Sequence, residues 1–311
     1  MNRLLSVLNY ELDSITGETL HQLINEGIGF KPTRIRTSAF LKNGGQLNER
    51  SLAKLRSLED FAHVELLSDL ARNGPNLSVV QFSDWGFQAL YLTTPVEQHP
   101  KLDWIKRRTT TRGFTSGATA DADDIYWQGE QSIANYVTSS RPHAHLPKVR
   151  HPETDEEMID IKQNPGRRSL VPGMWMQSAW RMWFGGNAFR FFSPERILSF
   201  PEASKIEKWD HDVLFVELYA DVLAFADSES RRRQAAFRKW LSMDTIEDMA
   251  VELLADRSDS PHEMIRGEFP HGGVWQHTEW LDAQGVLTRR SRSVRVRITE
   301  YDANYKKVWT Q

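Results

Sequence analysis

Two runs, Leu77-Ser78-Val79-Val80-Gln81-Phe82 and Phe87-Gln88-Ala89-Leu90-Tyr91-Leu92-Thr93, flank Ser83-Asp84-Trp85-Gly86. Both runs are rich in β-branched and aromatic residues, and the segment between them has turn chemistry. This predicts an antiparallel hairpin. Upstream of it the spacing is helical. Leu52, Leu55, Leu58, Phe61, Leu66, Leu67 and Leu70 predict a helix over 48–73, ended by Asn73-Gly74-Pro75. A further helix is expected over 16–27, with Thr16 as cap and Gly27 as stop. A change of period within one chain implies an α+β fold, with a mixed or antiparallel sheet packed by helices and a β-rich segment at the carboxy-terminal end.

Further along, Ile125–Trp127 and Ser132–Val137 read as short strands. Residues 138–170 carry Pro142, Pro147, Pro152 and Pro165 and read as irregular, which makes them a candidate internal boundary. Met174, Trp175, Ala179, Trp180, Trp183 and Phe184 predict a buried helix ended by Gly185-Gly186, and Phe189–Phe192 a strand. Ser193-Pro194-Glu195 has a helix-start signature. Val213–Tyr219 reads as a central strand. Ser230–Leu241 and Thr245–Ala255 read as helices, the first with an Arg231, Arg232, Arg233, Arg238 and Lys239 surface. Strands are expected at Val274–Trp280, Val286–Thr288, Val294–Thr299 and Tyr305–Trp309. The expected division is a main α+β domain over 1–245 and a helix plus β-rich extension over 246–311.

At 40% hydrophobic and 26% charged residues, the chain has the composition of a folded protein rather than a disordered one. Its net charge of -3 argues against general nucleic-acid binding. It has no cysteine, which excludes disulfides, thiol nucleophiles and Cys-ligated metals. The first residues contain too short an apolar run for a secretory signal, and no run approaches the ~20 residues of a membrane span. The expectation is a cytoplasmic protein without membrane contact.

No G-x-G-x-x-G, P-loop, G-x-S-x-G or H-E-x-x-H motif occurs. The sharpest polar cluster is Asp121-Ala122-Asp123-Asp124, followed by Arg141-Pro142-His143-Ala144-His145. Asp121, Asp123, His143 and His145 have the donor types for a divalent metal in a hydrolase or transferase. The plainer reading is that the carboxylates cap a turn and the histidines are solvated. Arg289, Arg290, Arg292, Arg295 and Arg297 mark the tail, and Val294, Val296 and Ile298 alternating with Arg295 and Arg297 suggest a half-buried strand with a cationic outer face; the plainer reading is a solvated strand blunted against edge pairing, the functional one a surface suited to an acidic protein or nucleic acid. Tryptophans at helical spacing, such as Trp180 and Trp183, read as core rather than as a cofactor pocket.

Five blocks carry a family resemblance. They are Ser116-Gly117-Ala118-Thr119-Ala120-Asp121-Ala122-Asp123-Asp124-Ile125-Tyr126-Trp127, Asn164-Pro165-Gly166-Arg167, Trp180-Arg181-Met182-Trp183-Phe184-Gly185, Phe215-Val216-Glu217-Leu218-Tyr219 and Gln234-Ala235-Ala236-Phe237-Arg238-Lys239-Trp240. Together they resemble bacterial immunity proteins of polymorphic-toxin and type VI secretion systems, in the manner of the immunity protein 52 family. The resemblance covers about residues 77–245. It implies a cytoplasmic antitoxin, without catalytic residues or cofactor, that occludes a cognate toxin encoded nearby. On that reading Asp121, Asp123, Asp124, Arg141, His143 and His145 are the expected partner-binding residues.

Overall fold

The computed structural model describes residues 2–59, 61–68, 74–151, 155–257, 262–285, 290, 293–303 and 306–311. It separates into two compact units, Met1–Glu247 and Asp248–Gln311.

The strands of the first unit are β1 (Arg3–Glu11), β2 (Arg34–Thr37), β3 (Gly45–Gln46), β4 (His63–Leu67), β5 (Asn76–Phe82), β6 (Phe87–Pro95), β7 (Phe114–Asp121), β8 (Lys148–Arg150), β9 (Glu157–Ile159), β10 (Ser169–Val171), β11 (Met174–Met176), β12 (Arg181–Phe184), β13 (Lys205–Lys208) and β14 (Leu214–Glu217). Its helices are α1 (Gly17–Glu26), α2 (Glu49–Arg56), α3 (Leu102–Thr109), α4 (Ala122–Gly129), α5 (Ile133–Thr138), α6 (Pro194–Leu198) and α7 (Ser228–Trp240). Helix α8 (Met243–Arg257) follows. The second unit carries β15 (His262–Arg266), β16 (Trp275–Leu281), β17 (Arg295–Tyr301) and β18 (Lys307–Thr310). The α+β class holds, and the sheets are antiparallel.

Ten strands form the main sheet in the order β13-β14-β12-β7-β1-β6-β5-β4-β2-β3. Cross-strand partners share a face, so the registers define a row running Val64, Val79, Leu90, Leu8, Gly117, Trp183, Phe215. This row meets Leu20 and Leu23 of α1, Leu55 of α2 and Trp104 and Ile105 of α3 in one core. Gly117 is required there: a Cβ would lie 2.5 Å from Leu8 Cδ2, so the absent side chain is the space that Leu8 and Trp183 fill. On the other face, Val7, Phe87 and Ala89 pack with Leu170 and Trp175 of the β10–β11 hairpin. The central strands are thus buried on both faces, and every residue of β7 is buried.

Several expectations change. The hairpin is β5–β6, as the alternation predicts, but the helix expected over 48–73 is α2 followed by β4; Leu70 and Asn73 lie outside the described residues. Val64 and Leu66 point into the core from a strand, where tertiary pairing overrides local spacing. The segments expected as strands at 125–127 and 132–137 are α4 and α5, each opened by a side-chain cap, Asp121 and Ser132. The helix expected from Met174 to Phe184 is instead β11 and β12, with Trp183 in the sheet row. The strand expected at Phe189–Phe192 is a 3₁₀ turn over Gly186–Arg190. The Val213–Tyr219 run is β14, one strand from the sheet edge.

The Arg231–Lys239 surface is also not a free cationic face. Arg238 is buried, Arg232 pairs with Glu202 and Glu229, and Arg233 with Glu229. In the second unit β15-β16-β17-β18 form an antiparallel sheet, and the strand expected at 286–288 lies outside the described residues. The expected half-buried face does not extend to Val294, just before β17, or to Val296 within it; both are exposed, at 67% and 49%. Inside this sheet Glu300 is buried and accepts from the backbone N–H groups of His271 and Gly273, while the His271 ring stacks on Trp309.

Among the described residues no helix is long and apolar enough to cross a membrane.

Candidate functional site

The polar cluster sits where β7 runs into α4. Asp121 ends the strand and caps the helix, its Oδ1 accepting the Asp124 backbone N–H at 3.0 Å. Asp123 and Asp124 follow in the first turn, where the helix dipole favours negative charge. The plainer reading of the D-x-D pattern is therefore correct as local structure.

The same residues nonetheless line a cleft of about 880 Å³. Asp121, Asp123, Asp124, Arg141 and His145 all contribute to it. His143 is not among the lining residues; its ring packs 6.2 Å from that of Tyr136. Asn2, Arg3 and Pro95, at the amino end of β1 and the carboxy end of β6, also line the cleft, as do Asn164 and Pro165. Two parts of the region 138–170 that reads as irregular, at 141–146 and 164–165, are thus walls of the cleft, and the region itself carries β8, β9 and the start of β10. Asn164 and Gly166 are tied to α4 by Gln128, whose Oε1 accepts the Gly166 N–H at 2.6 Å and whose backbone oxygen accepts from Asn164 Nδ2 at 2.9 Å. Gly166 is needed for this approach: a Cβ there would lie 2.2 Å from Gln128 Nε2.

Asp124 is held by Arg231 of α7 in a two-pronged pair, Nη2 to Oδ1 at 2.5 Å and Nη1 to Oδ2 at 3.1 Å. It also accepts from Gln128 Nε2 at 3.1 Å. Asp123 is exposed and receives Arg141 Nη2 at 3.3 Å, and the Arg141 guanidinium lies 4.4 Å from the Trp127 ring centre. Tyr136 donates its hydroxyl to the Trp127 carbonyl and packs against that ring at 4.7 Å. Asp121 is 3% exposed and in no ion pair among the described residues. Burial raises its pKa above the ordinary carboxylate value, opposed by the N–H groups of Asp124 and Asp123 and assisted by their charges. Tyr219, whose buried hydroxyl has no hydrogen-bond partner among the described residues, has its pKa raised by burial and by the charge of Asp124.

Arg231, Trp127, Gln128 and Tyr136 also line this site, and no local pattern in the sequence marks them for it. Arg231 was visible only as one of three consecutive arginines, because its carboxylate partner is 107 positions away.

Among the described residues no group of three or more His, Asp or Glu is placed to hold a metal ion, so Asp121, Asp123, His143 and His145 do not form the metal site their types suggest. A Ser–His pair does exist elsewhere: Ser6 Oγ is 3.3 Å from His99 Nε2. Ser6, however, has no exposed surface and also bonds Thr119 at 2.6 Å, and the other His99 nitrogen meets Thr94 rather than a carboxylate. A nucleophile needs an accessible oxygen and an oriented base; this pair is a buried structural bridge. No family model matches the chain, and no curated protein matches it.

Proposed function

We propose that this chain is a non-catalytic binding protein of the immunity type, which holds and occludes a cognate secreted toxin in the cytoplasm of a bacterium carrying both genes. One observation carries the reading. The cleft at the α4 N-terminus is large enough to receive part of a partner, and its charges are matched to each other rather than set out as nucleophile, base or metal ligands. Its rim has the composition of an interface hot spot, with exposed Tyr126 beside Trp127, Tyr136 and Arg141. The partner-binding set is Asp121, Asp123, Asp124, Arg141 and His145, with His143 packed behind Tyr136.

The test is co-expression with the product of the adjacent gene. A toxic product, relieved by this chain and co-purifying with it, is the expected result. A neighbour that neither binds nor harms cells lacking this chain sinks the proposal.

A further inference from the structure

Arg108, Arg167, Arg181, Arg231 and Arg238 are each at least partly withdrawn from solvent, and each meets a carboxylate. Arg168 is partly buried as well, yet it pairs with no carboxylate among the described residues. Its guanidinium lies against the Trp175 ring, 5.2 Å from the centre. A ring face attracts a cation but gives its N–H groups no oxygen, so the donors stay open. They are also reachable. Arg108 and Arg167 each have an Nε that is buried and unbonded, and Arg168 has no such nitrogen.

The surroundings favour an anion. Arg168 directly precedes β10, and the β10–β11 hairpin packs through Leu170 and Trp175 on the sheet face of Val7, with Tyr91 partly buried against the same cluster. Tyr91 is the cross-strand partner of Val7, so it projects to that face. Burial pushes the Tyr91 pKa up to about 12, and two neighbours oppose it, the charge of Arg168 and the N–H of Trp175. Both therefore favour negative charge at the Tyr91 oxygen. The Trp175 N–H is itself buried and closes no hydrogen bond among the described residues. Burial in turn lowers the pKa of Arg168, with Tyr91 acting the other way. On the same row of the sheet, Glu65 stands two strands from Tyr91 and is taken by Arg36. Arg34, whose buried Nε has no partner among the described residues, projects to this face too, because Ile35 between it and Arg36 is in the opposite core.

We propose that Arg168 and Tyr91, backed by Trp175, form a carboxylate-binding site on this face of the sheet, which takes an aspartate or glutamate side chain of the partner protein. This rests on the binding reading above and supplies its partner chemistry. The guanidinium offers a fork of N–H groups that matches both oxygens of a carboxylate. The Tyr91 oxygen faces the Trp175 N–H, which leaves the Tyr91 O–H to donate to the ligand. The unpartnered Arg34 on the same face suits an acidic segment of a protein around that one side chain.

The probe is sodium acetate, with acetamide as its uncharged counterpart of the same shape. Each is titrated at constant ionic strength into the nitrogen-15-labelled full chain, and the Arg168 Nε–H and Trp175 Nε1–H signals are followed by NMR. Acetate is expected to shift both signals to saturation, and acetamide neither. Arg168→Gln should weaken acetate binding, read at Trp175, about tenfold or more, the scale of a lost charge-assisted pair. Arg168→Lys keeps the charge and loses the fork, so it should bind several-fold more weakly than the natural chain; it serves as the test where the glutamine variant does not fold. A purely structural Arg168 predicts a changed thermal midpoint and no acetate response. Equal responses to acetate and acetamide, no response, or an acetate affinity unchanged in both variants overturns the proposal. In the complex with the adjacent gene's product, Arg168→Gln should weaken affinity tenfold or more. A complex that forms equally tightly with this variant overturns the proposal while leaving the immunity reading standing. If that product is no partner at all, the immunity reading fails and the acetate titration still decides the site.

Discussion

Two arginine–carboxylate clusters in the first unit use the same chemistry and differ in how completely they are closed. In one, Arg167 and Arg238 are each 2% exposed and share two carboxylates. Arg167 Nη2 meets Asp244 at 2.7 Å and Glu247 at 2.8 Å, and Arg238 meets the same two acids at 2.5 Å. Backbone oxygens of Lys162, Asn164 and Arg167, with Ser169 Oγ, take further donors. Burial lowers the pKa of Arg238, as does the neighbouring Arg167, and the two carboxylates oppose them. In the other cluster, Arg231 and Arg141 pair with Asp124 and Asp123 at the wall of an open cleft, and Asp121 is left without a cation. The first cluster has almost no donor to offer a partner. The second leaves its pairs at the wall of an open cleft, with Arg141 and Asp123 exposed and Asp121 serving as the cap of α4. Closure makes a structural clamp, and incomplete closure makes a surface that can recognise something.

The most damaging way to break this contrast is Arg238→Ala. It leaves Asp244 and Glu247 short of a cation and opens a hole beside Ser169, so a loss of about 3–5 kcal/mol is expected in urea unfolding. A loss below about 1 kcal/mol would mean that the cluster is no clamp.

A third polar cluster, without any anion, gives the next largest effect. His99 is buried against Ser6 and Thr94, and burial, with a smaller push from Arg181, holds its pKa down at about 4 instead of 6.5. The folded chain therefore takes up this proton less readily than the unfolded chain. Stability is unaffected above pH 6.5, falls as pH drops toward 4, and levels off below. The full displacement is worth roughly 3 kcal/mol. Unfolding midpoints measured at pH 7 and pH 5 should differ in the natural chain and converge in His99→Gln.

Asp124→Ala comes next, at about 1–3 kcal/mol, because Arg231 is 30% exposed and water can replace the lost carboxylate. It should cost less than Arg238→Ala; the reverse order would make the cleft wall the tighter of the two clusters. Asp121→Asn differs in sign. Its raised pKa means that the charged form is disfavoured on folding, so stability rises as pH falls through the folded-state pKa toward the ordinary carboxylate value. The asparagine variant should be no less stable than the natural chain at pH 7, and the pH dependence in that acidic window should flatten.

The two clusters were unequally legible in the sequence, for physical reasons. Asp121, Asp123 and Asp124 stand together, and a cap followed by first-turn acids is a local arrangement. The clamp is assembled from positions 167, 238, 244 and 247, and Arg238 reads in the sequence as part of an ordinary helix surface. The same division holds for the fold. The β5–β6 hairpin announces itself by alternation. The strand β1 does not, because it is buried on both faces and its polar Ser6 and Asn9 are satisfied by Thr119, Ser116 and the β11 backbone. Between Phe114 and Asp121 the strand β7 is built of Thr, Ser, Gly and Ala, small residues that leave room for Leu8 and Trp183 and so show no apolar period of their own. Ile125-Tyr126-Trp127 looked like a strand by composition; the Asp121 cap was the stronger local signal.

Arg141→Ala is the smallest perturbation and the most pointed. The Arg141–Asp123 pair is exposed on both sides, and the guanidinium adds one contact over Trp127. Such a pair contributes about 0–1 kcal/mol, and an exposed cation–π contact about as much, so the thermal midpoint should barely move. A large drop would place Arg141 with Arg167 and Arg238 as a clamp residue and close the cleft as a recognition site. An unmoved midpoint, joined to a changed affinity for the partner protein, would show that the two clusters differ in purpose as well as in burial, because the residue that matters least to folding would then matter most to what the cleft admits.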